Sequence, residues 1–452
     1  MESLPALKRA FSLKRNLTSL FVRPSHNMAP IDGLRALAIL LVVACHLLVF
    51  CQLFLPDAAE QFNALPIGVR WLSGGGIGVD LFFVLSGFLI GGILFQEYQS
   101  TDTLNIKRFF VRRFMRLMPV YWLTMAFAAG SILLPSQPKH MIMELLPPNL
   151  HNIWSNLLYV NNFIPFEEQV LGLTHSWSLA VEEQFYFVFP FLLLAFFRFK
   201  LHRHPIKTII GALLVYWGLR GVCMGYAVTQ MVEQCGVAFD EIKIEPMSIF
   251  KPGRTRCQYA YFFDGVYSNL YTKFIALFFG VVASYLKVFR LEAVKAFFAN
   301  PLKANVGGCA ALVAIGFTFF AESILGESLA FSFYYLFYYQ LVFSLGVAFL
   351  ILFALYAEGG LGSVVRRCLS LRVFYPVAQL SYSIYLFHVF FIMVTYDFMI
   401  EQGFSPSLVE MVMGGIPGII AGTALVCTGS YLFLEKPIMN LRDPAKSVTH
   451  RP

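Results

Sequence analysis

The stretch Leu34–Phe50, LRALAILLVVACHLLVF, is apolar except at Arg35 and His46. With its apolar flank it reaches the roughly 20 residues that a helix needs to cross a hydrocarbon layer about 30 Å thick. An ionisable side chain inside such a segment is costly and marks a functional position. Arg35 and His46 stand eleven residues apart. That is about three helical turns, so the two share one face with roughly 16 Å of rise between them. One stripe of a spanning helix thus carries a fixed cation near its start and a neutral-pH base half a bilayer higher. The plainer alternative, Arg35 reaching back to the surface and His46 satisfied by an interior hydrogen bond, stays open on this pair alone.

The same apolar character recurs along the chain. Hydrophobic residues make up 58% and charged residues 13% of the sequence, and the mean hydropathy is +0.67. This composition predicts an all-α, polytopic bundle of transmembrane helices, an integral membrane protein that in a bacterium sits in the inner (plasma) membrane. Spans are expected near 34–54, 73–95, 118–135, 178–197, 208–228, 271–287, 304–321, 332–355, 377–399 and 413–434, about ten in all. Alternate connections hold the Lys and Arg, among them Lys107, Arg108, Arg112, Arg113 and Arg116, then Arg198, Lys200, Arg203 and Lys207. Both termini are therefore expected on the cytoplasmic side. The formal charge of +8 is read as this topological signal, with no nucleic-acid partner implied. The first 25 residues are basic and polar and contain no compact apolar core of a cleavable signal peptide. The expected organisation is a basic cytoplasmic segment 1–30, a transmembrane domain 31–437 and a cytoplasmic tail 438–452.

On the opposite side, connections 136–177 and 229–270 are long enough to fold over the membrane surface. Within the first, NIWSNLLYVNN (152–162) is too short to span and reads as an interfacial or re-entrant helix. Cys235 and Cys257 share the second, and a bridge between them is left open. No spacing of Cys or His resembles a metal site, so no metal is expected.

Four further segments carry ionisable groups. The second span opens GGGIGVDLFFVLSGFLIGGIL, with Asp80 in apolar surroundings where a lone carboxylate needs a partner. The spans run in opposite directions, so Asp80 and His46 fall at similar depth, and a carboxylate beside an imidazole is the arrangement of a general base and its orienting acid. A structural ion pair is the alternative. Arg112, Arg113 and Arg116 gather before the third span, which Pro119 opens; they suit either anionic lipid or the phosphates of a cofactor. Glu182 and Glu183 sit adjacent at the top of a span near His175, Trp177 and Tyr186, and at least one should face an interior cavity. On the ninth span, His388 lies three residues from Tyr385, on a shared face.

In order along the chain stand IDGLRALAILLVVACH (31–46), GVDLFFVLSGFLI (78–90), RRFMRLMPVYW (112–122), HSWSLAVEEQFY (175–186), SYSIYLFH (381–388) and LEKP (434–437). This succession resembles the membrane acyltransferase-3 family, the O-acyltransferases that modify envelope polysaccharides and some small molecules. The resemblance covers about residues 30–440. It implies transfer of an acyl group, usually acetyl from cytoplasmic acetyl-CoA, to an acceptor across the membrane, with a lipopolysaccharide O-antigen or another envelope glycan the commonest acceptor. The family's arginine-to-histidine pair falls on Arg35 and His46, its basic motif on Arg113 and Arg116, and its tryptophan-to-glutamate motif on Trp177 and Glu182.

Joined together, these readings give His46 as general base oriented by Asp80 or Glu182, and Arg35, Arg113 and Arg116 as the donor site. Trp177, Tyr186 and His388 would contact substrate, and membrane lipids and a hydroxyl-bearing acceptor are the remaining partners. A proton-coupled transporter would also use intramembrane His, Asp and Glu, although the sequence has no paired broken helices in corresponding halves and the basic cluster would be superfluous. A non-catalytic lipid-binding scaffold would explain the arginines but not His46 and Asp80.

Overall fold

The computed structural model describes residues 8–25, 28–51, 54–55, 57–133, 150–170, 172–242, 254–325, 334–335, 337–404 and 406–441. Residues 136–149 and 243–253 of the two long connections, and 442–452 of the expected tail, lie outside them. Helices account for the architecture, and the described residues contain no strand. Among the described residues ten long helices follow one another: α1 (Ala29–Cys51), α2 (Ile77–Thr101), α3 (Ile106–Leu133), α4 (Trp177–Arg198), α5 (Pro205–Cys235), α6 (Leu270–Phe289), α7 (Pro301–Leu325), α8 (Tyr339–Tyr356), α9 (Phe374–Glu401) and α10 (Leu408–Ser430). Nine helices among the described residues are long and apolar enough to cross a membrane. The expected span outside that set is α3, whose first half carries Arg112, Arg113 and Arg116. Pro119 lies inside α3 and does not open it. A proline interrupts one backbone hydrogen bond, which spanning helices tolerate where neighbours re-satisfy the freed group.

In space α1 packs between α2 and α9, α2 against α6, α6 against α8 and α8 against α7, while α10 backs α9 and α5 leans on α6. Two glycines on α2 set the close approaches. A Cβ at Gly78 would meet Ala38 O at 2.5 Å and Val42 Cγ2 at 2.9 Å on α1, and one at Gly87 would meet the Leu277 carbonyl carbon at 2.9 Å on α6. Small residues at such crossings bring backbones together where lipid offers no hydrophobic drive to association. Asp80 and Ser86, on the same helix, thereby gain fixed positions between α1 and α6.

The end of the bundle holding the basic connections is termed inner, the other outer. At the inner end Arg366, on the short helix Gly360–Leu369, donates to the carbonyls of Ala354, Leu355 and Ala357 at 2.9, 3.0 and 2.9 Å. It thus satisfies the last turn of α8, whose carbonyls lack helical partners. A short helix, Leu13–Phe21, is pinned against the end of the chain. Asn16 Nδ2 donates to Leu432 O at 3.2 Å, and Asn440 Nδ2 donates to Ala10 O at 3.2 Å and to Asn16 Oδ1 at 3.0 Å.

At the outer end, 152–162 tucks into the bundle. Asn156 and Asn161 donate to Ser176 Oγ at 3.0 and 3.2 Å, Asn162 donates to Ser268 O at 3.3 Å, and all three asparagines are buried. Trp154, Leu157 and Leu158 of the same segment stay exposed, so it plugs the bundle on one face and presents apolar side chains on the other. Cys235 and Cys257 are disulfide-bonded, which answers the open question and ties the end of α5 to the helix Arg254–Phe262. That helix runs into a π-helical turn, Phe263–Tyr267. There Asp264 accepts the Phe166 amide at 3.0 Å, fastening the segment 150–170 to it.

Two outcomes test this account. Gly87→Leu should unfold or strongly destabilise the detergent-solubilised protein, since overpacking costs about 1–3 kcal/mol or more and here the obstacle is backbone. Gly211→Ala, with open space around it, should leave thermal stability unchanged or raised. The second concerns Asp264, whose carboxyl is pushed up to about 7 by burial, aided by Glu167 and Glu168 and opposed by the Phe166 amide. Between about pH 4 and pH 7 the folded chain then keeps a proton that the unfolded chain has released, so stability falls as pH rises through that window. Melting temperatures across pH 4–8 should show this fall in the parent protein and lose that component in Asp264→Asn; an identical slope in both proteins would remove Asp264 as its source.

Candidate active site

Two cavities take up all the predicted site residues except His388. The outer one, of about 200 Å³, is lined by His46 and Asp80, by Trp177 and His175, and by aromatic rings including Tyr267 and Tyr339. The inner one, of about 190 Å³, is lined by Arg35, Arg113 and Arg116 together with Ser86, Glu182 and Tyr186. Val79 of α2 and Tyr385 of α9 line both, so the two cavities share walls at that waist. Arg35 and His46 do lie at different depths on one stripe of α1, each in its own cavity. Neither is a surface group.

The partners of His46 and Asp80 differ from the expectation. His46 Nδ1 lies 2.8 Å from His388 Nε2, and no described carboxylate bonds to His46. Asp80 is engaged elsewhere. Lys273 Nζ donates to Asp80 Oδ1 at 3.2 Å, Gln340 Nε2 to the same oxygen at 2.8 Å and Tyr339 OH to Oδ2 at 3.3 Å. The orienting role assigned to Asp80 is therefore corrected: both side chains of the Asp80–Lys273 pair are 2% exposed, and a buried carboxylate at that depth goes to the strongest donor within reach. Lys273 also sits 4.0 Å from the centre of the Tyr267 ring and 5.6 Å from that of Trp177. It was missed in the sequence, where the signal is a single lysine in the apolar run LYTKFIALFFGVV.

Glu182 does not orient His46 either. Its two oxygens accept from Ser86 Oγ at 2.6 Å and Tyr186 OH at 3.3 Å, on the inner side of the waist. Tyr186 accordingly belongs with the arginines, the Arg113 guanidinium lying 5.2 Å from its ring centre. Arg35 donates to Ser381 Oγ at 3.2 Å. Among the described residues no carboxylate comes within 4.0 Å of Arg35, Arg113 or Arg116. Three guanidiniums thus converge on one cavity without an ion pair, the condition in which an anionic ligand gains most.

Trp177 lines the outer cavity, whereas His388 is fully buried and lines neither cavity. Its expected contact with substrate is corrected to a contact with His46. Tyr385, from the same motif, is the waist residue; its hydroxyl donates to His175 O at 2.7 Å and pairs with Ser178 Oγ at 2.6 Å.

Comparison with known proteins bears on this arrangement. Residues 29–435 match an acyltransferase domain. The peptidoglycan O-acetyltransferase OatA of Listeria monocytogenes is 35% identical over 190 residues, 40% of this chain and 26% of that protein. The O-acetyltransferase OatA of Staphylococcus aureus is 34% identical over 189 residues, 41% of this chain and 27% of that protein. The matched stretch thus spans little more than a quarter of these relatives. No solved structure matches.

The Asp80–Lys273 pair yields a test by double substitution. Lys273→Met leaves a buried carboxylate without its cation and should cost about 3–5 kcal/mol of stability, while Asp80→Asn with Lys273→Met should regain most of it. Thermal unfolding in detergent measures both. Equal losses for the single and double variants would show that Asp80 depends on other partners.

Proposed function

Because the chain belongs to the acyltransferase-3 family, we propose that it is a membrane O-acyltransferase moving acetyl from cytoplasmic acetyl-CoA to a hydroxyl of an envelope glycan on the far side. The observation that carries this reading is the meeting at Val79 and Tyr385 of an arginine-lined inner cavity and a histidine-lined outer one. Arg113 and Arg116 would hold the donor phosphates, with Arg35 deeper along the same cavity. The pantetheine arm would run from there to the waist. An arm that bridges a third to a half of a roughly 30 Å core suits this separation of phosphate and reaction sites.

Beside the waist, in the outer cavity, His46 takes the proton of the acceptor hydroxyl as its oxygen attacks the thioester carbonyl. The C–O bond forms, the C–S bond breaks, and the same proton neutralises the departing thiolate, so donor and acceptor exchange acyl for hydrogen with no net proton uptake. Trp177 and the tyrosines of the outer cavity offer flat apolar faces and hydroxyls, surfaces suited to a sugar ring. Asp80, held by Lys273, shapes that cavity, and Glu182 with Tyr186 shapes the donor side. The peptidoglycan named for the Listeria relative fits the glycan class. The disulfide at the end opposite the basic connections supports an outer end in an oxidising compartment, and the positive connections support termini in the cytoplasm.

His46→Ala should reduce transfer by about two to four orders of magnitude while acetyl-CoA still binds; near-normal turnover in a folded variant would sink the base assignment. Neutralising Arg113 and Arg116 should weaken binding of acetyl-CoA far more than of acetyl-pantetheine, which lacks the phosphates. Equal losses would point to lipid anchoring. In sided vesicles, donor on the inner face and impermeant acceptor on the outer face should together give product, and a need for both on one face would overturn the transmembrane route.

A further inference from the structure

We propose that His388 is the positioning residue of the site, fixing the tautomer of His46 so that Nε2 is its basic nitrogen. This rests on the reading of His46 as general base. His388 Nδ1 lies 2.8 Å from Tyr385 O and 3.0 Å from Ile384 O. Carbonyl oxygens only accept, so Nδ1 of His388 carries its hydrogen. In the neutral ring Nε2 is then a lone pair. The 2.8 Å contact from that lone pair to His46 Nδ1 needs a donor, and only His46 can supply it. His46 therefore holds its hydrogen on Nδ1, leaving Nε2 bare. No described residue hydrogen-bonds His46 Nε2, while the side chain lines the outer cavity.

The surroundings make the assignment directional. His388 is fully buried on α9, its ring centre 5.0 Å from that of His46 on α1 and 5.4 Å from that of His175. Asp80, the nearest carboxylate lining the cavity, is taken by Lys273. An imidazole in this place sets the direction of the hydrogen bond without adding a negative charge to an apolar core. When His46 Nε2 accepts the acceptor's proton, the resulting imidazolium keeps donating through Nδ1 to His388 Nε2. The ring therefore does not have to turn before it returns the proton to the thiolate.

Three variants and one spectroscopic readout test the idea on the full chain in detergent or nanodiscs. His388→Ala should lower kcat by about 100-fold or more with the donor KM unchanged, since a misoriented or mis-tautomerised base loses most of its contribution. His388→Gln, whose Oε1 can accept from Nδ1, should recover a substantial part of kcat. His388→Lys, which presents only donors, should recover none. Thermal stability and donor binding of each variant report on folding. With 15N-labelled histidine, NMR should find His46 protonated at Nδ1 in the parent protein and in His388→Gln, and no longer fixed so in His388→Ala. Parental kcat and pH profile in His388→Ala, or a parent protein protonated at Nε2, would overturn the proposal. Should the parent protein transfer no acyl group at all, the function reading fails, whereas the NMR readout still decides the tautomer.

Discussion

The contact between Lys273 Nζ and Asp80 Oδ1 is the constraint on which the bundle's interior arrangement depends. Neither group can stay unpaired at 2% exposure in a medium without water. Their meeting fixes α2 against α6, and Gln340 and Tyr339 extend the same requirement to α8. Gln340 Oε1 in turn accepts from Tyr216 and Arg220 on α5, each at 3.4 Å. Four helices are thereby registered at one depth. Because α2 also carries Ser86 two turns below, the position of Glu182 in the inner cavity follows from that registration.

The two cavities answer opposite electrostatic problems. Outside, the Asp80 carboxylate is compensated by Lys273, which leaves aromatic surface, His46 and His175 to face the cavity. Inside, three guanidiniums share one space and the carboxylate lining it, Glu182, is spent on two hydroxyls. A ligand that brings negative charge resolves the inner imbalance, and one that brings a neutral polar ring fits the outer cavity. Charge thus sorts the two sides before any detailed shape is considered.

Much of this was legible in the sequence. Hydrophobic stretches located the long helices, and the eleven-residue spacing placed Arg35 and His46 on one stripe at two depths. Arg113 and Arg116 line the inner cavity and Trp177 the outer one. What a linear reading could not supply was the pairing of groups from distant helices. Asp80 and His46 are at similar depth, yet depth leaves the angular position of each helix undetermined, and α6 offered Asp80 an ammonium that α1 could not match. His388 illustrates the same limit from the other side, because its spacing from Tyr385 identified the face but not the neighbour. Pro119 alone suggests a helix start, yet spanning helices tolerate proline in their interior, and α3 continues through it.

The clasp between the helix Leu13–Phe21 and the segment after α10 carries a consequence for synthesis. Asn16 contacts Leu432, 416 residues later, and Asn440 reaches back to Ala10 across 430. The helix Leu13–Phe21 leaves the ribosome before the ten long helices, and its partners come late: Tyr375 of α9 donates to Ser19 O, and Leu432 and Asn440 follow α10. Until they emerge it must wait at the inner face, its exposed Leu13, Leu17 and Phe21 free to rest in the lipid surface beside Lys14 and Arg15. Closing the clasp therefore waits on α10, and it tells a chain with α10 in place from one that lacks it.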